Sequence, residues 1–131
     1  MSKPSIVIAD DHAGIRERIT SLLSEKYEVV ARVSDGAAAL DAVQSLKPDI
    51  VLLDAAMPVM HGIEAARRLR ELSSATKIIF LTAGASRDEL ADYTTFSAGL
   101  LIKGRMFTEL IPAIEAVLAG GTYFSGPSTE R

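Results

Sequence analysis

Short apolar runs recur along the chain at 5–9 (SIVIA), 27–33 (YEVVARV), 49–53 (DIVLL), 77–81 (KIIFL) and 99–102 (GLLI). Runs this short, rich in Val, Ile and Leu, predict strands buried on both faces of a sheet. Between them apolar residues return at helical spacing: Ile15, Ile19, Leu22 and Leu23, then Leu40, Val43 and Leu46, then Ile63, Ala66 and Leu69. A fourth helix opens on Ser86-Arg87-Asp88-Glu89, the spacing of a capping box, and carries Leu90 and Tyr93. Thr94 and Thr95 are weak helix formers, so this helix is expected to be short or to lose order at its end. The fifth stripe is Phe107, Leu110, Ile111, Ile114, Val117 and Leu118, and Gly120-Gly121 stops it. Pro112 lies near its start, where a delay or a kink is expected. Strands and helices in strict alternation predict a parallel sheet covered on both faces. Right-handed crossovers then give a doubly wound α/β domain over residues 1–121, with five strands and five helices. Residues 122–131 lose the pattern and read as a tail or the start of a linker.

Composition removes several function classes. With 131 residues, 48% hydrophobic and 24% charged, the chain fits one globular domain with a substantial core. No apolar run approaches the roughly 18 residues that span a bilayer, and no signal-peptide pattern opens the sequence. The absence of cysteine excludes disulfides and thiolate chemistry and suits a cytoplasmic protein. A net charge of −3 argues against a general nucleic-acid surface on these residues.

The polar residues that follow the strands carry the chemistry. In a doubly wound sheet, ligands bind beyond the carboxyl ends of the strands, where the winding reverses. Asp10 and Asp11 follow the first run, Asp54 the third, Thr82 the fourth and Lys103 the fifth. Asp54 is the sharpest case, because a carboxylate at the mouth of an apolar strand is costly unless it has a cation, hydrogen bonds or a reaction to serve. Three converging carboxylates require a cation, and oxygen ligands without His or Cys point to Mg²⁺. A carboxylate nucleophile, a hard cation, a lysine and a hydroxyl suit phosphoryl transfer. Asp54 would then become an acyl phosphate, with Lys103 neutralising the transferred oxygens and Thr82 hydrogen-bonding one of them.

These motifs together, Asp-Asp, "DAAMPVMHG", Thr-Ala and Lys in order, resemble the receiver domain of bacterial two-component response regulators. The resemblance runs from Ile6 to about Gly121, is CheY-like, and implies strand order 2-1-3-4-5. The ending "AIEAVLAGGTYFSGPS" resembles receivers of the NarL/FixJ type within the LuxR family. Those continue into a helix-turn-helix DNA-binding domain, which is absent from these residues. The resemblance implies that Asp54 is the phosphoacceptor, that Asp11 binds Mg²⁺ directly and Asp10 through water, and that the Ala56 backbone carbonyl is a further ligand. It makes Lys103 the phosphoryl-binding cation and Thr82 the switch hydroxyl. Met57-Pro58 and Gly62 match the turn after the phosphoacceptor. The implied partners are a sensor histidine kinase and a second copy of the chain through the face of helix 4, strand 5 and helix 5. DNA would be reached only through the absent effector domain, no membrane is involved, and the chain catalyses only its own phosphorylation and dephosphorylation.

Three departures concern the switch. Leu100 stands where the family carries Tyr or Phe, Phe96-Ser97 replaces a Gly-Ala pair, and Gly104 follows the lysine in place of Pro. Leu100 is expected to couple Asp54 to the helix-4 surface weakly, and Leu100→Tyr to strengthen that coupling. Asp10 and Asp11 would also serve as caps of the first helix. His12 and His61 read as surface or pocket-edge residues, Arg67, Arg68 and Arg70 as a solvated helix face, and Met57 and Met60 as packing. A haloacid-dehalogenase-type phosphohydrolase needs a second Asp where Ala56 stands, and a flavodoxin-like FMN carrier would meet two repelling carboxylates. A phosphorylation-independent docking module is the softer alternative.

Overall fold

The computed structural model describes residues 3–72 and 74–125. Its elements are β1 (Ser5–Ala9), α1 (Ala13–Leu23), β2 (Glu28–Val33), α2 (Gly36–Leu46), β3 (Ile50–Asp54), α3 (Gly62–Glu71), β4 (Lys77–Thr82), α4 (Arg87–Phe96), β5 (Gly99–Ile102), α5 (Met106–Leu118) and β6 (Tyr123–Phe124). The sheet runs β2-β1-β3-β4-β5-β6, and every neighbouring pair is parallel. The expected order of the first five strands is therefore the observed one.

Side-chain alternation sorts each strand onto two cores. Ile6 and Ile8 of β1 join Ile50 and Leu52 of β3 under α1 and α5. Val7 and Ala9 join Val51 and Leu53 on the other face, under α2, α3 and α4. All five residues of β3 are buried, as the unbroken apolar run requires of a central parallel strand. The winding reverses between β1 and β3, which are neighbours in the sheet, so the crevice opens at the ends occupied by Asp10 and Asp54.

Three local expectations change. Tyr123–Phe124 form a sixth strand paired with Gly99 and Leu100, and the Ser125 amide donates to the Leu100 carbonyl at 2.7 Å. The chain after α5 is thus part of the sheet as far as Ser125, whereas the remainder of the expected tail, 126–131, lies outside the described residues. Two isolated β residues carry no readable alternation, and only the β5 edge gives them a partner. Helix α4 includes Thr94 and Thr95, whose hydroxyls donate to the Ala91 carbonyl at 3.1 and 2.7 Å. Helix α5 starts at Met106, so Pro112 falls in its second turn and no delay occurs. Proline cannot donate to the carbonyl one turn earlier, a loss this long apolar stripe offsets by burying Leu110, Ala113, Ile114 and Val117.

Candidate functional site

Asp10 leaves β1 with its amide bonded to the Val33 carbonyl at 3.0 Å, and its side chain is fully buried. One carboxylate oxygen, Oδ1, accepts from the His12 amide at 2.8 Å. Arg16 donates to the Asp10 carbonyl at 2.7 Å and fastens the turn from the helix side. The cap of α1 is neither aspartate. His12 takes that place, its Nδ1 accepting from the Ile15 amide at 3.2 Å. This frees the carboxylates of Asp10 and Asp11 from the helix end, and Asp11 stands exposed at the rim.

Asp54 closes β3 and is 2% exposed. Its Oδ1 accepts from the Ala56 amide at 3.0 Å, which sets the carboxylate plane as the chain turns away. That turn is tight: a Cβ at Gly62 would lie 2.6 Å from the Asp54 carbonyl oxygen, so only glycine lets α3 start against the strand end. Met57 is buried beneath the turn and Met60 packs beside it, as expected of packing residues. His61 caps α3 without a side-chain bond.

Lys103 reaches back from the end of β5 across the crevice. Its Nζ donates to Asp54 Oδ2 at 3.1 Å and lies 3.0 Å from Asp10 Oδ2. The second contact is an ion pair without hydrogen-bond geometry, so Asp10 Oδ2 remains a buried acceptor with no donor among the described residues. One cation therefore holds two carboxylates, and Asp11 adds a third: one oxygen from each of Asp10, Asp11 and Asp54 lies within 4.8 Å of the others. The charge imbalance is visible in the acidities. Burial pushes the Asp54 carboxyl above its ordinary range and Asp10 adds to this, while the Ala56 amide and Lys103 oppose it. Burial would lower the Lys103 ammonium, but the two carboxylates outweigh it and hold the proton on more firmly.

A divalent cation fits this donor set. Three hard oxygen donors carrying three charges meet one ammonium, and a buried acceptor is left unsatisfied. Asp10, Asp11 and Asp54 each bring one carboxylate oxygen to the place such an ion would occupy.

Thr82 ends β4 at 5% exposure, but its hydroxyl is turned to the loop beyond, donating to the Gly84 carbonyl at 2.7 Å and accepting from the Gly84 amide at 3.2 Å. Leu100 is fully buried opposite Phe80 in the register of β4 and β5. It shares its core with Tyr93, whose ring lies 4.9 Å from that of Phe80. Leu100→Tyr thus enlarges a side chain inside a packed cluster. We expect a loss of about 1–3 kcal/mol of stability in urea unfolding. Tyr93, marked by its helical spacing as a core contact, is buried in that cluster against Phe80.

The sequence model of the response regulator receiver domain matches residues 6–115. The chain is 34% identical to the transcriptional regulatory protein DegU of Brevibacillus brevis over 125 residues, which cover 93% of this chain and 53% of that protein. It is 33% identical to the response regulator GacA of Pseudomonas aeruginosa, over 92% of this chain and 58% of GacA. The chain thus spans about half the length of the curated relatives it matches. Among solved structures, the signal receiver domain of the response regulator NarL from Mycobacterium tuberculosis aligns with a TM-score of 0.86 at 31% identity, covering 92% of this chain and 99% of that domain. A LuxR-family two-component response regulator from Aurantimonas aligns with a TM-score of 0.85 at 33% identity, over 93% of this chain and 89% of that one.

Proposed function

The chain belongs to the response regulator receiver domain family, and on that premise we propose that it is a phosphorylation-dependent switch whose phosphoacceptor is Asp54. The observation that carries the proposal is Lys103 Nζ held between the Asp10 and Asp54 carboxylates at the winding reversal, with Asp11 converging on them. In this reading an Asp54 oxygen attacks the phosphorus of a phosphohistidine on a sensor histidine kinase. The new O–P bond forms as the P–N bond breaks, and the imidazole leaves with a proton from solvent. The Ala56 amide orients the nucleophile, Lys103 moves from the carboxylate to the transferred oxygens, and Thr82 leaves Gly84 to donate to one of them. Asp11, Asp54 and the Ala56 carbonyl would hold Mg²⁺, with Asp10 acting through water, and the ion would supply charge neutralisation.

The chain would catalyse only its own phosphorylation and dephosphorylation. The names of its relatives as transcriptional regulators support control of transcription through a DNA-binding effector as output, and the family resemblance implies a cytoplasmic setting and a dimer through α4, β5 and α5. Among the described residues no helix is long and apolar enough to cross a membrane. Leucine in place of an aromatic at position 100 favours one competing reading, a docking module indifferent to phosphate.

Intact mass after incubation with acetyl phosphate decides between them. We expect one phosphoryl adduct that forms with Mg²⁺ and is lost with EDTA; no adduct under either condition would leave only the docking module. The metal site is tested separately by calorimetric titration. Asp11→Asn removes one ligand charge at the exposed rim, and we expect Mg²⁺ affinity to fall about tenfold or more. Equal affinity in both proteins would remove Asp11 from the ligand set.

A further inference from the structure

At the end of the sheet opposite Asp54, where α2, α3 and α5 stop and β4 begins, lies a groove of about 700 Å³. Val43 and Val117 line it from the two buried cores. Leu72 and Leu118 line it as well, yet they are 53% and 39% exposed and stand outside both cores. With Pro48 and Ala75 they leave a concave apolar surface facing water. A groove of this volume, mostly apolar with a few charged groups, has the make-up of a small-molecule site.

Most polar groups along the groove are already engaged. The Thr76 hydroxyl donates to the Pro48 carbonyl at 2.7 Å, and the Thr76 amide donates to the Ser74 hydroxyl at 3.2 Å. Asp49 Oδ2 accepts from the Ser5 amide at 2.8 Å and the Ser5 hydroxyl at 3.3 Å. The helix ends take amides of their own chain: Lys47 donates to Val43, Ser74 to Leu69 and Gly121 to Ala116, at 2.9 to 3.0 Å. The Lys47 and Lys77 ammonium groups are different. Neither has an ion-pair or hydrogen-bond partner among the described residues. Two cations against the single Asp49 carboxylate leave the lining net positive. Lys47 is also held at φ 48°, the left-handed region that glycine ordinarily takes after a helix. A side chain there carries strain, and the strained residue is one that sets a charge at the groove.

We propose that this groove binds a small apolar carboxylate, its hydrocarbon covering Leu72 and Leu118 and its head group taken by Lys47 and Lys77. The lining sets the class: the exposed leucines call for an apolar body, and the unspent ammonium groups call for an anion. The site is separate from the phosphoacceptor reading of Asp54 and does not rest on it.

The test is two-dimensional NMR of the full chain titrated with octanoate, octanol and octylammonium, which share one tail. Octanoate should give saturable shifts of the Val43, Leu72, Val117 and Leu118 amides. Octanol should shift the same amides with affinity about fivefold weaker, the worth of two exposed ion pairs, and octylammonium should bind more weakly still. Lys47→Met with Lys77→Met keeps both stems, and its spectrum reports that the fold is intact. This variant should bind octanoate about fivefold less tightly and octanol as the parent does. Asp54→Asn should bind octanoate like the parent. Equal affinity for octanoate and octanol, or no loss in the double variant, would overturn the assignment of the head group. Shifts that do not saturate, or that fall outside the groove, would overturn the site itself.

Discussion

Asp54→Asn is expected to gain no phosphoryl adduct from acetyl phosphate and, in metal-free buffer, to unfold at a higher urea concentration than the parent chain. The first outcome follows from chemistry, since an amide nitrogen or oxygen at this position is not a carboxylate nucleophile. The second follows from crowding. Asp54 and Asp10 are both buried and share a single ammonium, so one negative charge is in excess before Asp11 is considered. The Asp54 carboxyl is accordingly harder to ionise in the folded chain than its usual value of 3.8, chiefly through burial and secondarily through Asp10. A folded-state pKa above the unfolded one means the native state binds this proton more tightly. Its contribution to stability is therefore greatest below 3.8 and declines as the pH rises through the folded value. Asparagine has no such proton and should remove this decline. Added Mg²⁺ should stabilise the parent and do little for Asp54→Asn, because binding to the folded form alone adds stability in proportion to its affinity. A full adduct on the Asn chain, or a lower urea midpoint than the parent, would contradict the assignment.

Lys103→Met should cost about 3 kcal/mol of unfolding free energy and abolish phosphoryl transfer. Its Nζ stands 3.0 and 3.1 Å from carboxylates whose side chains are 0% and 3% exposed. Removing one member of a buried pair leaves charge without compensation, a loss of about 3–5 kcal/mol. The lysine itself is 23% exposed, so water reaches the vacated space and the lower end of that range applies. Against a total stability of about 5–15 kcal/mol for a domain, this is a large share. Methionine keeps most of the stem packing, so the loss reports charge rather than volume. Combined with Asp54→Asn the cost should shrink, since only Asp10 then lacks a cation, and the double-mutant cycle in urea measures the difference. An additive pair would mean that Lys103 does not compensate Asp54. Mg²⁺ should restore part of the stability of Lys103→Met without restoring the adduct.

Much of this molecule is legible before folding. The runs of β1, β3, β4 and β5 are readable because a central parallel strand is apolar on both faces, as in Ile50–Leu53, whereas β2 lies at the sheet edge with none of its six residues buried, against the expectation of a strand buried on both faces. The carboxylates of Asp10 and Asp54 were located by the same logic, as the first polar residues after buried strands at a winding reversal. Their convergence needed only the strand order. The Ser86–Glu89 capping box was likewise visible, since caps depend on residues a few positions apart, whereas Gly62 was marked only by the family resemblance and its close approach to the Asp54 carbonyl belongs to the fold.

What the sequence by itself determined is thus the set of elements and the side chains at the strand ends, because these follow from local periodicity, while the strand order came from the receiver-domain resemblance. The tertiary structure alone decided which atoms share a proton or a charge. Lys103 is forty-nine residues from Asp54 yet bonds it. Thr82 spends its hydroxyl on Gly84, His12 rather than an aspartate caps α1, and Tyr123–Phe124 become a strand only because β5 leaves an edge to pair. Tyr93 and Leu100 illustrate the difference most directly. Both read as core residues, and only the packing of α4 on β4 and β5 shows that they share one cluster, with the tyrosine ring 4.9 Å from that of Phe80. Hydrogen bonds and ion pairs act over a few ångströms and ignore separation along the chain, so their partners become definite only when the elements have docked.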